Sequence, residues 1–364
     1  MNKFKKIVLC FLMLGSSVVF ANISLPSVFG DHMVLQQNAE ITLWGWADPL
    51  EKVQVSTTWS DLKYETETDN YGNWKVILKT PLAGGPYIIG IKGYNEITIT
   101  DVLIGEVWLG SGQSNMAWSA ASGITDGARE TENANIPALR FFTVEKRTAN
   151  NPQIDVVGKW EVCTPGTMKY FSAVAYFFGK ELTEKLKVPV GLIVSAWGGT
   201  PAEAWMPEEV FNENEKLRVA ADLMKERPWG PHRRSTAFNG MMAPLTLTKL
   251  AGVIWYQGED NTVNPSIYEE VLKELIISWR AQWKDNFPFY LVQIAPYEYG
   301  AGYTGVQVRE AQRRVRREVP ETGMVVTSDI GDIADIHPKN KKDVGLRLGH
   351  LALKNNYNIH EELS

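Results

Sequence analysis

Glu106-Val107-Trp108-Leu109-Gly110-Ser111-Gly112-Gln113-Ser114-Asn115 is the stretch on which the reading of this chain turns. Its first half, Glu106 to Gly110, predicts a short buried strand, and Ser111 to Asn115 predicts a tight turn that leaves a serine at the strand's carboxyl end. The same design recurs downstream. Apolar strands are predicted at Pro189 to Ser195, Gly252 to Tyr256, Phe289 to Ile294 and Met324 to Thr327. Helical patterns alternate with them at Ser172 to Leu186, Ile267 to Trp283, Val306 to Glu318 and Asn340 to Asn355. Such alternation predicts a doubly wound α/β domain over residues 105–364, with a parallel sheet covered on both faces. Upstream, residues 22–104 have another rhythm: short β-branched runs (Ile41 to Ala47, Val53 to Thr57, Trp74 to Leu78, Tyr87 to Lys92, Ile97 to Ile104) separated by turn residues, which predicts a small antiparallel, sandwich-like domain.

Composition narrows the function class. The 364 residues are 44% hydrophobic and 22% charged with a formal net charge of -5, and no basic face of the kind that binds nucleic acid is apparent. The run Arg313, Arg314, Arg316, Arg317 reads as the solvated side of a helix. Lys3, Lys5 and Lys6 precede an apolar run from Ile7 to Phe20, so residues 1–21 read as a signal peptide cut near Ala21, with an exported (periplasmic or secreted) product and no membrane span. Of the two cysteines, Cys10 falls in that segment and Cys163 would remain alone, which excludes a disulfide framework and a cysteine metal site.

In a doubly wound sheet, ligands bind beyond the carboxyl ends of the strands, and the unusual residues fall there. The first strand runs into Gly112-Gln113-Ser114-Asn115, the second into Trp197-Gly198-Gly199-Thr200, the third into Gln257-Gly258-Glu259-Asp260-Asn261, and the last into a loop holding Asp329, Asp332, Asp335 and His337. Acyl transfer needs a nucleophile, a base, a carboxylate to orient the base, and donors for the oxyanion. Ser114 is the candidate nucleophile. Among the five histidines, His337 is the candidate base, because it follows a strand and lies near Asp335; His232, in a Pro-rich loop, has no carboxylate beside it in the sequence. Spacing leaves the orienting acid open between Asp335 and Glu259, with Asp335 favoured; Asp329 and Asp332 read as turn or cap residues. The Ser114 and Gly199 amides and the Gln257 side chain are candidate oxyanion donors, with Gln113 and Asn115 beside them as substrate-binding candidates. No metal or cofactor is called for.

Taken together, Gly112-Gln113-Ser114-Asn115-Met116, Trp197-Gly198-Gly199-Thr200-Pro201, Trp255-Tyr256-Gln257-Gly258-Glu259 and Asp335-Ile336-His337-Pro338 resemble the bacterial sialate O-acetylesterases, as does the opening Leu25 to Gln36. The resemblance implies an SGNH-hydrolase-like (flavodoxin-like) fold and a metal-independent serine mechanism that releases acetate from O-acetylated sialic acid or a sialoglycan. It implies Ser114 as nucleophile and His337 as base, with Gly199 and Gln257 where that class places its oxyanion glycine and asparagine. Two departures stand out. The acid usual three residues before the histidine is Ala334 here, and the further β-rich segment of family members is not in this sequence, which stops at Ser364. Arg233, Arg234 and Arg309 are candidates for meeting a sugar carboxylate, and Trp118, Trp197 and Trp205 for stacking on sugar faces. Acetylated xylan is the alternative substrate, and a non-catalytic carbohydrate-binding protein the alternative of a different class.

Overall fold

The computed structural model describes residues 22–300 and 302–359; the expected signal segment and His360 lie outside the described residues. Thirteen strands are present among the described residues: β1 (Val34–Gln36), β2 (Glu40–Trp46), β3 (Lys52–Thr57), β4 (Ser60–Glu67), β5 (Asn73–Lys79), β6 (Gly84–Lys92), β7 (Glu96–Gly112), β8 (Ile136–Thr143), β9 (Trp160–Cys163), β10 (Val190–Ala196), β11 (Gly252–Tyr256), β12 (Phe289–Val292) and β13 (Thr322–Val325). The central sheet runs β13-β12-β11-β7-β10-β8-β9, parallel except for β9, which pairs antiparallel with β8.

All five strands expected between Glu106 and Thr327 are found in this sheet. Two more, β8 and β9, were not expected. Nor does the change of rhythm at Gly105 break the chain. It falls inside β7, whose first half pairs antiparallel with β6 and whose second half lies between β10 and β11. Before β7, β2 pairs with β5, while β3 pairs with β4 and β6. Leu43, Val53, Val55, Trp74, Leu78, Ile89 and Ile91 from these strands are all buried in one apolar cluster.

The reason the central strands read as unbroken apolar runs is that both faces of the sheet are covered. Side chains alternate across it with the period of two that a strand imposes. Val253, Trp255, Phe289 and Leu291 enter one core cluster, and Ile254, Tyr256, Tyr290 and Val292 enter the other. Helices Tyr268–Trp283 and Thr304–Glu318 cover the first face, where Trp279 meets Trp255 edge to face at 5.6 Å and donates its indole N–H to the Trp205 carbonyl at 2.8 Å. Helices Ala173–Leu186 and Lys341–Tyr357 cover the second, and Phe178 stands edge-on to Trp108 at 5.0 Å.

The strand order reverses at β7, because the chain crosses to β8 and β10 on one side and to β11, β12 and β13 on the other. A crevice opens at the carboxyl end of a strand placed in this way. Register makes the ends level: Gly112 lies opposite Ala196 of β10 and Tyr256 of β11. Below it, Glu106 is buried and accepts hydrogen bonds from Gln36 at 3.1 Å, Gln37 at 2.6 Å and the Tyr357 hydroxyl at 2.7 Å, so that one carboxylate ties the N-terminal strands and the last helix to β7.

Truncation of the fully buried Phe178 ring leaves a cavity between the Ala173–Leu186 helix and Trp108. Phe178→Ala is expected to lower the unfolding free energy by about 3–5 kcal/mol in chemical denaturation. A loss below about 1 kcal/mol would contradict this account of the second core.

Candidate functional site

The turn that ends β7 is built by Gly112, whose φ of 135° is outside the range of ordinary L-residues and whose Cβ, if it had one, would overlap the Tyr256 carbonyl. The chain then enters a short helix, Ser114–Ala117, so that Ser114 stands half-buried at the head of a turn of backbone amides. Across the cleft, His337 presents Nε2 to Ser114 Oγ at 2.8 Å. The imidazole lies flat on Trp118, with ring centroids 4.2 Å apart and planes 17° from parallel. Burial is the main cause that lowers the His337 pKa from the usual 6.5, reinforced by the nearby Lys341 ammonium and opposed by Asp335. The neutral ring, which can take a proton from a hydroxyl, is therefore favoured.

Neither candidate acid bonds to that ring among the described residues. Asp335 Oδ1 accepts from the backbone N–H of His337 at 2.9 Å, shaping the loop instead of gripping the imidazole. Glu259 is buried, and its Oε1 accepts from Asn115 Nδ2 at 2.5 Å. Asn115 Nδ2 also donates to the Ile336 carbonyl at 3.0 Å, and Asn115 Oδ1 accepts from Lys341. Asp329 is held by Arg347 and Asp332 caps the Ala334 amide, in line with their reading as turn residues.

Gly199 has a φ of 68°, and Gly198 packs so closely on Ser114 that a Cβ there would press on the serine's own Cβ. The Gly199 and Ser114 amides donate no hydrogen bond among the described residues. Gln257 departs from its expected position as a donor into the cleft. It is fully buried, its Nε2 donates to the Thr200 carbonyl at 3.2 Å and to Asn261 Oδ1 at 2.7 Å, and its Oε1 accepts from Tyr268 at 2.9 Å. Both amide hydrogens are used. Gln113, by contrast, lines the cleft; its Oε1 accepts from the Gly258 and Asp260 amides at 3.2 and 3.3 Å, which leaves its Nε2 as the free end.

The cleft measures about 560 Å³. Its cations are Lys146 and Arg227, set 5.9 Å from the Trp197 ring and 5.6 Å from the Trp229 ring. The three expected arginines are elsewhere: Arg233 donates to Asn150, Arg234 pairs with Glu208 and Asp222, and Arg309 donates to the Ile294 carbonyl and to Ser328. Of the expected tryptophans, Trp197 lines the cleft, Trp118 stacks on the histidine, and Trp205 is core, donating to Thr200 Oγ1. His232 does have an acid partner, Asp260, at 2.7 Å, with both side chains buried. The chain spacing of 28 residues hid this pair, and no motif announced Lys146, Arg227 or Trp229. Among the described residues no group of three or more His, Cys, Asp or Glu could hold a metal ion.

A serine bonded to an imidazole, beside two unused amides at a strand-end crevice, is an arrangement for acyl transfer. Comparison with known proteins gives the class. Residues 104–354 match the family described as carbohydrate esterase, sialic acid-specific acetylesterase. The chain belongs to that family. It is 31% identical to human sialate O-acetylesterase over 90% of this chain and 70% of the human protein, and 28% identical to the mouse enzyme over 90% and 72%. A carbohydrate acetylesterase from Xanthomonas citri superposes with a TM-score of 0.84 at 36% identity, covering 93% of this chain and 76% of that one. This member of the family is thus a carboxylic ester hydrolase, an acetylesterase acting on glycans, on a mixed α/β fold with a mostly parallel central sheet.

If His337 is the base, its neutral form carries activity, and a lowered pKa extends that form to more acidic solution. The acid limb of kcat/KM against pH is expected below about 6.5. A limb at or above that value would contradict the burial of the ring beside the Lys341 ammonium as the controlling influence on it.

Proposed function

We propose that this esterase removes O-acetyl groups from sialic acid by an acetyl-serine mechanism on an SGNH-like site. The observation that carries the reading is the 2.8 Å contact between His337 Nε2 and Ser114 Oγ in an open cleft. Ser114 attacks the acetyl carbonyl as His337 takes the hydroxyl proton; the oxyanion is received by the Ser114 and Gly199 amides, with Gln113 Nε2 as the third donor in place of Gln257. His337 then gives the proton to the departing sugar oxygen. Water, deprotonated by the same ring, releases acetate and restores the serine.

Support for the acid sugar comes from charge. Lys146 and Arg227 line the same cleft as the serine, each against a tryptophan ring, which suits a carboxylate-bearing ring with apolar faces better than a neutral xylan chain. Acetate release from 9-O-acetylated sialic acid is expected to exceed release from acetylated xylan, and Ser114→Ala to reduce it by about a thousandfold or more. Faster release from xylan would move the assignment to a neutral glycan; release that survives the serine's removal would refute the acetyl-serine step.

Arg227→Ala separates recognition from chemistry. Loss of a charge-assisted contact of about 1.5–3 kcal/mol should raise KM for the sialate ester at least about tenfold and leave hydrolysis of an uncharged acetyl ester unchanged. Equal effects on both esters would assign Arg227 to the shape of the cleft.

A further inference from the structure

Lys341 is placed against two ordinary preferences at once. As the first residue of helix Lys341–Tyr357 it sits where the helix dipole repels a cation, and at 1% exposure its ammonium has lost its water. Lys342 beside it keeps a side chain that is 44% exposed. A residue that breaks local rules so plainly has a compensating role.

What Lys341 holds is Asn115. The ammonium donates to Asn115 Oδ1 and lies 5.5 Å from the centre of the Tyr256 ring. The other end of the same amide donates at 2.5 Å to Glu259 and at 3.0 Å to the Ile336 carbonyl. These contacts fix how the amide is turned. Swapped end for end, it would face the ammonium with its NH2 group and face a carboxylate and a carbonyl with its oxygen, replacing three attractive contacts by three repulsive ones. Asn115 follows Ser114 in the chain, and Ile336 precedes His337. The amide therefore bridges the backbone on either side of the 2.8 Å serine-histidine contact, although those segments are 221 residues apart.

We infer that Lys341 is a positioning residue for the Ser114–His337 pair: through Asn115 it clamps the loop that carries the histidine onto the turn that carries the serine. This rests on the proposed reading of that pair as the reacting groups. Lys341 acts in a second way through charge. The titratable groups facing it are Glu259, Asp335, Tyr256 and His337; Glu259 and Asp335 raise its pKa, yet burial outweighs them and brings it to about 7. While charged it disfavours a proton on His337 and so keeps the base free.

The test uses the full chain and two readouts: the rate at which a fluorophosphonate labels Ser114, and acetate release against pH. Lys341→Met is expected to slow labelling by about 10- to 100-fold with KM for the acetyl ester unchanged, and to move the acid limb to higher pH because a positive neighbour of His337 is gone. The double variant Lys341→Met/Glu259→Gln strands no buried carboxylate and should label faster than Lys341→Met alone. Wild-type labelling rate and an unmoved acid limb in Lys341→Met would overturn the inference. Where circular dichroism finds Lys341→Met unfolded, the double variant decides against Glu259→Gln: slower labelling supports the clamp, and equal rates overturn it. Wild-type protein that does not label at all sinks the serine-histidine reading and the clamp with it, whereas labelled wild type beside an unaffected Lys341→Met sinks only the clamp.

Discussion

The end of β7 is the constraint from which the site follows. Gly112 has to turn the chain within one residue, level with Ala196 on one side and Tyr256 on the other, because its neighbours' ends leave no room for a longer exit. Three loops then leave the sheet at one height, which brings Ser114, Gly198-Gly199 and Gln257 to Asp260 together. The height is set far from the cleft. The first half of β7 is registered by β1 and β6, and Glu106 is held by groups from both ends of the chain. A slip of one residue would exchange Trp108 for Val107 and Leu109 between two filled cores, so the register at the bottom of the strand fixes the serine at the top.

Behind the Ser114–His337 pair lies a wall of buried acids, each with a polar side chain set against it. Glu203 accepts from Asn261 at 2.8 Å, Glu259 from Asn115 at 2.5 Å, and Asp260 meets His232 at 2.7 Å. Burial pushes all three carboxyl groups above their ordinary range. Asn261 also accepts from the Ala202 amide and from Gln257, so the loop after β11 and the segment after Gly199 are held as one body. Gln257 belongs to that body, which explains why a residue at a strand end, in the position expected of an oxyanion donor, has no hydrogen to offer the cleft. His232 braces the glycine loop from the other side, since its Nδ1 meets the Gly230 carbonyl at 2.9 Å and Gly230 lies directly on the Gly198 and Gly199 carbonyls.

The parts that were legible in the sequence are those where backbone and packing speak locally. Strands β7, β10 and β11 read as unbroken apolar runs because helices cover both faces, and the clusters after them sit where such sheets bind ligands. Strand β8 was hidden by Pro137 and Arg140, two residues that argue against a buried strand. Arg140 is tolerated because Asp101 meets it at 2.6 Å, a partner 39 residues away that no local pattern can supply. The same limit applies to the acid beside the histidine. Two residues of spacing placed Asp335 near His337, but a side chain so close in sequence has the backbone amide within easier reach than the ring. Lys341, Lys146 and Arg227 were invisible for a different reason: a single cation in a sequence does not declare whether it faces water, a ring or a cleft.

How the imidazole is oriented without a carboxylate on its far nitrogen can be followed through Trp118. That indole is not free to choose its place. The Trp118 carbonyl accepts from the Ala173 amide at 2.9 Å, and Ser172, which caps the same helix, donates from Oγ to the Met116 carbonyl at 2.6 Å. Helix Ala173–Leu186 is packed against the sheet along most of its length, so its first turn fixes both the short helix headed by Ser114 and the ring under His337. On the proposed mechanism the imidazole becomes a cation as the serine attacks, and an indole face 4.2 Å away favours that cation by about 0.5–2 kcal/mol. A flat stack also holds the plane of the ring while leaving Nε2 directed at the hydroxyl. Two duties that a triad gives to a carboxylate, orientation and stabilisation of the charged ring, are in this geometry carried first by an aromatic face, with Asp335 contributing its charge from the loop.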